Sequence, residues 1–470
     1  MGMEALYYTQ ESKMVAIILA AGKGTRMKSN LPKALHPICG KPLTRYVIDA
    51  CRESGIEECI VVIGHGAEEV QAALGNDVKY AVQQEQRGTG DACRAALGLL
   101  DGCEGSVMVL AGDVPLLDPA ALRELAEEQA ASGMAATMLT TVLPDGGHYG
   151  RVIRAADDTV EKIVEAKDAT PSELAVGEIN AAIYCFNLPL LRKYIDELTP
   201  ANAQGEYYLT DVIGLMVADG HKVGAKISAD PNIVLGVNNR VDLSYLTDVV
   251  RRKILDRLML SGITVIDPST TYVDEDVEVG MDTVLHPMTV LEKGCKIGKN
   301  CIIGPSSRLA GAVVEDGAEV LFSNIVESTV GEGCKIGPFA HIRPGCTLGK
   351  NVKLGNFVEA KNSEIEESVS VGHLSYIGDT RIGRRTNIGA GTITCNYDGY
   401  KKHHTEIGQD AFVGSNNTLV APVKVGDGSL TAAGSVITRD VPADSLAIAR
   451  SEEVIKIGWA RRRREQKDTQ

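Results

Sequence analysis

Over much of the second half of the chain an aliphatic residue returns every sixth position, and no other feature narrows the fold so far. The pattern can be laid out as "LEKGCK IGKNCI IGPSSR", "IGPFAH IRPGCT LGKNVK LGNFVE", "IGDTR IGRRTN IGAGTI" and "VGSNNT LVAPVK VGDGSL TAAGSV". Gly usually follows the aliphatic residue, and a small residue recurs later in each unit. This is the signature of a parallel β-helix, in which each aliphatic side chain enters a narrow axial core and stacks on its counterpart one coil away. Gly and small residues permit the sharp corners. One hexapeptide alone cannot bury its apolar face, so the coils fold only as a stack. "TCNYDGYKKHHTE", residues 394–406, breaks the rhythm. It is polar, aromatic and too long for a corner, which predicts a projecting loop of the kind that carries function.

Residues 14–240 have a different texture. "VAIILAAG", "ECIVVIGHG", "VKYAVQQ" and "SVMVLAGDVPLL" read as strands, with "KPLTRYVIDACRESG", "EEVQAALG" and "GDACRAALGLL" as amphipathic stretches between them. That alternation predicts an α/β domain built on a mostly parallel sheet with helices on both faces. Ligands of such sheets gather outside the carboxyl ends of the strands, where "LAAGKGTRMKS" (19–29) and "LAGDVPLL" both fall. The first loop suits phosphate but is not a P-loop, because Ile17 stands where its first Gly belongs and Gly24 follows Lys23. A dinucleotide fingerprint fails as well, for want of a third Gly near Met27. Leu243, Leu246, Val250, Ile254 and Leu258 recur at helical spacing without Gly or Pro and predict a linker helix over 241–261. The β-helix is expected over 262–458, a tail over 459–470 and a flexible extension over 1–13.

Whole-chain properties exclude several classes. The longest apolar run, around residues 14–21, is too short to span a bilayer, and no signal peptide precedes it, so no membrane partner and a cytoplasmic location are expected. Eleven cysteines without a Cys-x-x-Cys pair suggest reduced, mostly buried thiols rather than disulfides or zinc. A formal charge of −14 disfavours nucleic acid, and Arg461–Arg464 reads as a solvated tail. Trp459, the only Trp, is expected to pack the end of the β-helix.

With both halves in view, the motifs "LAAGKGTRM", "EQRGTG", "GDVPLL", "GEYYLTD", "GVNNR", "GHLSYIGD" and "NIGAGTITCNYDG" carry a resemblance that covers residues 14–458. The chain resembles the bacterial bifunctional enzymes that join glucosamine-1-phosphate N-acetyltransferase to N-acetylglucosamine-1-phosphate uridyltransferase. The resemblance implies a Rossmann-like nucleotidyltransferase domain followed by a left-handed β-helix that assembles as a homotrimer. It implies acetylation of glucosamine-1-phosphate by acetyl-CoA, then UMP transfer from UTP to give UDP-N-acetylglucosamine. The alternative is a monofunctional sugar-phosphate nucleotidyltransferase whose β-helix is a scaffold.

For the uridyltransferase, the resemblance sets Leu19, Ala20, Ala21 and Gly22 against the nucleotide. It gives Arg26 the leaving pyrophosphate, Lys33 the α-phosphate, and Gln83, Gly88 and Thr89 the uracil. In-line phosphoryl transfer needs donors and cations where charge builds, which these residues can supply. Asp113 and Asn238 are implied as oxygen ligands for Mg²⁺. Gly150, Glu165 and Asn180, with Asn238, would hold N-acetylglucosamine, although Ala111, Ala181 and Ala182 depart from some relatives.

For the acetyltransferase, a base must take a proton as the amine attacks the thioester. His373 matches the family's base, two residues before Ser375 and three before Tyr376; His341, His403 and His404 are its rivals. The resemblance assigns Arg343 and Lys361 to the sugar phosphate, and Tyr376 and Asn387 to the sugar. Ala390, Asn396, Tyr397, Ser415, Ala433 and Arg450 are assigned to an acetyl-CoA groove between subunits. The repeats alone do not decide between enzyme and scaffold. The coincidence of Arg343, Lys361, His373 and the "CNYDG" loop does.

Overall fold

A computed structural model describes residues 14–467; the expected extension over 1–13 lies outside the described residues. The chain divides into two compact units with the boundary at Val250/Arg251, inside a helix over Arg240–Leu260.

The first unit carries strands β1 (Val15–Leu19), β2 (Pro37–Ile38), β3 (Lys41–Pro42), β4 (Glu58–Ile63), β5 (Lys79–Val82) and β6 (Ser106–Ala111). They are followed by β7 (Ala136–Val142), β8 (Arg151–Arg154), β9 (Val160–Val164), β10 (Glu178–Asn187) and β11 (Val223–Ile227). The main sheet runs β11-β7-β10-β6-β1-β4-β5, with the β8–β9 hairpin attached to β10. Strand β1 is flanked by β4 and β6, both parallel to it. Its side chains alternate, Val15 and Ile17 entering one core and Ala16 and Ile18 the other. Helix residues Cys93, Leu191 and Val212 close the first core, and Val47, Val70 and Leu122 the second. Period-2 alternation from a sheet buried on both faces thus explains the near-continuous apolar runs read in the sequence.

The sheet is less parallel than the alternation suggested. Strand β10 runs antiparallel to both β6 and β7, and β8 and β9 pair antiparallel beyond it. No crossover helix of useful length separates β7 from β10; the hairpin fills that interval, so the chain comes back in the reverse direction. Strand β10 also breaks register with β7 between Asn180 and Tyr184, at a bulge where Ala182 takes φ +55°.

The second unit is a left-handed parallel β-helix of hexapeptide repeats, its strands stacked in three parallel sheets of 11, 10 and 9 strands among the described residues. One inward column reads Leu285, Ile303, Val320, Ile336, Leu354, Val371, Ile388 and Val413, each in register with the next and each at most 2% exposed. Each such side chain contributes about 1.5–3 kcal/mol of burial. The step from Ile388 to Val413 is longer than the others because it contains the predicted excursion, which leaves the coil between strands Ile393–Cys395 and Thr405–Ile407. Buried corner hydroxyls satisfy the turning backbone: Thr386 Oγ1 donates to the Gly408 carbonyl at 2.6 Å and accepts from the Ala411 amide at 3.1 Å.

Beyond the last coil, Trp459–Lys467 is helical and exposed throughout, and Trp459 is 55% exposed rather than packed on the solenoid. No described helix is long and apolar enough to cross a membrane. Most of the eleven cysteines are buried.

Coil spacing generates a test. A Cβ on Gly355 would overlap the carbonyl oxygen of Gly372 on the next coil. Gly355→Ala is expected to force the two coils apart and destabilise this unit by about 2–4 kcal/mol, read as a lower denaturant midpoint.

Candidate functional sites

In the first unit, the loops after β1 and β6 leave the same end of neighbouring parallel strands, with Leu19 opposite Ala111. The Gly112 amide donates to the Leu19 carbonyl at 3.0 Å, tying the loops together. Leu19 and Ala20 are half-buried, Ala21 is buried and Gly22 is exposed with open space around its Cα. Gly24 has φ +59°, and a Cβ there would sit 2.7 Å from Lys33 Cβ. Only Gly fits that turn, and it lets Lys33 pack under the phosphate-type loop.

Four of the expected residues converge here as two pairs. Lys33 forms an ion pair with Asp113, and Arg26 Nη2 donates to Asn238 Oδ1 at 2.8 Å. Asn238 Nδ2 lies 2.7 Å from His148 Nε2. Tyr149, stacked on His148, accepts from the Gly236 amide at 3.1 Å and so pins the 148–150 segment to the 236–238 loop. Partial desolvation of a ring that is still exposed, then the Arg26 guanidinium, hold the His148 imidazole below its ordinary pKa, and burial pushes the Tyr149 hydroxyl up to about 12. Among the described residues no group of three His, Cys, Asp or Glu side chains could hold a metal. One carboxylate and one amide oxygen, each already facing a cationic group, nevertheless match Mg²⁺, which takes its remaining ligands from water and phosphates.

Further along the crevice, buried Gln83 donates through Nε2 to the Gly88 carbonyl at 3.1 Å and to Asp91 Oδ2 at 2.8 Å. A carboxylate only accepts, so the Gln83 amide orientation is fixed, and its carbonyl oxygen is the end that can accept from a ligand. Thr89 Oγ1 accepts from the Leu209 amide at 3.0 Å, tying the "RGTG" turn to "GEYYLTD". Among the residues expected to hold the sugar, a Cβ at Gly150 would lie 3.5 Å from both carboxylate oxygens of Glu165. Asn180 donates its amide hydrogen to the Gly150 carbonyl at 2.9 Å. Its Oδ1 accepts from the Ala182 amide at 3.1 Å, and its side chain exchanges hydrogen bonds with the buried Tyr184 hydroxyl. Ala182 is therefore held at positive φ beside the Asn180 side chain.

In the second unit, coil register gathers the other group. Asn356 pairs with His373 across adjacent coils. The same corner continues through backbone hydrogen bonds: Gly391 N to His373 O at 3.2 Å, Asn416 N to Ala390 O at 2.7 Å, and Gly434 N to Ser415 O at 2.8 Å. His373, Ala390, Ser415 and Ala433 thus follow one another up a single corner, three of them small beside one exposed imidazole. Asn387 lies on the strand leading into this corner, between Ser370 and Phe412 in register.

A second group lies on the neighbouring sheet. Arg343 Nη1 donates to Glu359 Oε1 at 2.9 Å, and Arg343 N donates to the Ala360 carbonyl at 2.8 Å, which sets Arg343 beside Lys361. Lys402, from the excursion, lies near enough to Lys361 that its ammonium, then desolvation, then Arg343 hold the Lys361 amine below its ordinary range. Asn396 is buried, donates to Asp379, and reaches the Tyr376 hydroxyl at 3.4 Å. Burial opposes ionisation of Asp379, yet hydrogen bonds from Asn362 and Asn396 hold its carboxyl below the usual range. Tyr397 is 60% exposed on the excursion. His403 is bound to Asp398 at 2.7 Å, and His341 stands one coil before Glu359. Arg450 is exposed just past Ala449, whose amide donates to Ser435 Oγ at 3.1 Å.

Sequence reasoning passed over His148, Asp91, Asp379 and Lys402. Only "KKHH" on the excursion carried a signal, since a basic pair on a projecting loop can fold back over a cation-lined coil.

A nucleotidyltransferase-type α/β unit joined to a hexapeptide-transferase β-helix defines a two-domain transferase. Comparison with known families agrees. Residues 16–171 match the MobA-like NTP transferase domain, 265–352 the GMPPB C-terminal domain, and 404–439 the bacterial transferase hexapeptide (six repeats). Curated relatives named "Bifunctional protein GlmU" match nearly end to end. That of Trichlorobacter lovleyi is 47% identical, covering 96% of this chain and 98% of its own. That of Brevibacillus brevis is 46% identical over 96% and 97%, and that of Caldanaerobacter subterraneus 48% over 96% and 98%. The chain belongs to the GlmU family of bifunctional proteins.

Burial raises the Glu165 pKa, so the folded chain holds that proton more tightly than the unfolded one does. The stability linked to it is present below the ordinary carboxylate range and is lost as pH rises through the folded pKa. Glu165→Gln is therefore expected to melt higher than the parent at neutral pH, with the gap closing in acid. Paired thermal melts across pH check this.

Proposed function

We propose that the first unit transfers UMP from UTP to N-acetylglucosamine-1-phosphate, releasing pyrophosphate, and that the second makes that substrate by acetylating glucosamine-1-phosphate with acetyl-CoA. The observation that carries the reading is the presence, on one chain, of the Arg26–Asn238 and Lys33–Asp113 pairs in one unit and of the His373 corner beside Arg343, Lys361 and Lys402 in the other.

In the uridylyl step a phosphate oxygen of the sugar attacks the α-phosphorus while the bond to the bridging oxygen breaks and pyrophosphate departs. Lys33 steadies the α-phosphate, Arg26 takes up charge on the leaving group, and Gln83 accepts from the uracil edge. Glu165, Asn180 and Gly150 hold the sugar. Asp113 and Asn238 would hold Mg²⁺, which supplies further neutralisation of phosphate charge.

In the acetyl step the amine attacks the thioester carbonyl, the carbon–sulfur bond breaks, and His373 accepts the proton that the amine gives up. Arg343 and Lys361, with Lys402, face the phosphate dianion; Tyr376 and Asn387 orient the sugar. The small residues Ala390, Ser415 and Ala433 leave room along the corner for the pantetheine arm, with Asn396, Tyr397 and Arg450 nearby.

The working form is a homotrimer in the cytoplasm. The free, buried thiols of Cys93, Cys185, Cys295 and Cys334 suit a reducing compartment. Self-assembly is supported by an apolar ridge beside the His373 corner. Phe322, Phe339, Phe357 and Leu374 occupy successive coils at φ +46° to +64° and are 40–63% exposed; Phe339 stacks on Phe357 with centroids 5.3 Å apart. A bulky residue in that conformation costs about 1–2 kcal/mol relative to Gly, which burial against a second copy offsets.

Two tests follow. His373→Ala is expected to lower thiol release from acetyl-CoA by at least about 100-fold while sparing pyrophosphate release, and Asp113→Ala to do the reverse. Uridylyl transfer without any thiol release in the parent would mean a scaffolding β-helix. Phe339→Asp is expected to shift light-scattering mass to that of a single chain and to remove acetyl transfer, with uridylyl transfer retained.

A further inference from the structure

Arg26 can only donate, so the Asn238 side chain must turn Oδ1 toward it and Nδ2 away. Nδ2 then has two acceptors, His148 Nε2 at 2.7 Å and the Gly236 carbonyl at 3.3 Å, of which the imidazole is the closer. His148 Nε2 therefore accepts, and the ring carries its proton on Nδ1. The imidazole is itself held by stacking on Tyr149, whose hydroxyl accepts from the Gly236 amide two residues before Asn238. His148, Asn238 and Arg26 form one ordered chain of donors and acceptors with a single consistent polarity.

We infer that His148 is a positioning residue for uridylyl transfer: by accepting from Nδ2 it keeps the Asn238 carbonyl oxygen turned into the phosphate site, where Arg26 and a divalent cation share it. The inference rests on the uridyltransferase reading of this unit. Without the acceptor, the Asn238 amide can rotate about its terminal torsion, and the oxygen no longer faces the site. A group behind a metal ligand typically changes affinity by about 10–100-fold when removed. His148 is exposed, so its replacement leaves the cores intact.

The test compares His148→Leu, which removes the acceptor, with His148→Gln, whose amide oxygen can replace it. Mn²⁺ binding to the full-length, UTP-loaded protein is read by electron paramagnetic resonance, and uridylyl kcat is measured at limiting and at saturating Mg²⁺. His148→Leu is expected to weaken Mn²⁺ binding about tenfold, with a matching loss of rate at limiting Mg²⁺ that saturating Mg²⁺ largely restores. His148→Gln should stay near the parent, and acetyl transfer should be unchanged in both. Unaltered Mn²⁺ affinity in His148→Leu, or a glutamine variant as weak as the leucine one, overturns the inference. Absence of uridylyl transfer in the parent would instead overturn the functional reading, while the Mn²⁺ comparison would still decide the role of His148.

Discussion

The backbone hydrogen bonds that run from each coil to the next are the constraint on which the second unit depends. They permit only residues one coil apart to meet, and the buried aliphatic column from Leu285 to Val413 locks the register by burying one side chain per coil. Everything on the outside is then placed by the same count. His373, Ala390, Ser415 and Ala433 are far apart in sequence, yet they occupy one corner because the coils beneath them are in register. Close backbone approach at Gly355 and Gly372 is what lets those coils stack at all.

The first unit builds its site by a different route. Parallel strands β1 and β6 deliver two loops to the same edge, and the cations there arrive already partnered: Lys33 by the Asp113 carboxylate, Arg26 by the Asn238 amide oxygen. Each proposed phosphate-binding cation is thus oriented by a group proposed for the metal. A highly charged substrate meets a preorganised set of donors, where the gain over bulk water is largest. Glu165, proposed for the sugar, marks the contrast: desolvation raises its pKa and makes its half-buried carboxyl harder to ionise.

Much of this was legible in the sequence. Each six-residue unit maps onto one side of a three-sided coil, so the β-helix and its excursion at 394–406 could be read directly, and the helix over Arg240–Leu260 was evident from its spacing. Strand direction was not legible. Alternating strands and helices say nothing of the β8–β9 hairpin that sends β10 back antiparallel. The pairing of His148 with Asn238 spans 90 residues and joins two loops, so no local pattern announces it. The nearness of Lys402 to Lys361 depends on how the excursion folds back. Trp459 looked like a plug for the solenoid because of its apolar bulk, yet it begins an exposed, arginine-rich helix.

The central claim is that one chain carries out both transfers in succession. Pure protein supplied with glucosamine-1-phosphate, UTP, Mg²⁺ and acetyl-CoA labelled with ¹³C in the acetyl group tests it in a single mass-spectrometric measurement. The account predicts that the label appears in UDP-N-acetylglucosamine, with one thiol and one pyrophosphate released for each molecule formed. Label that stops at N-acetylglucosamine-1-phosphate, or that never leaves acetyl-CoA, would contradict it.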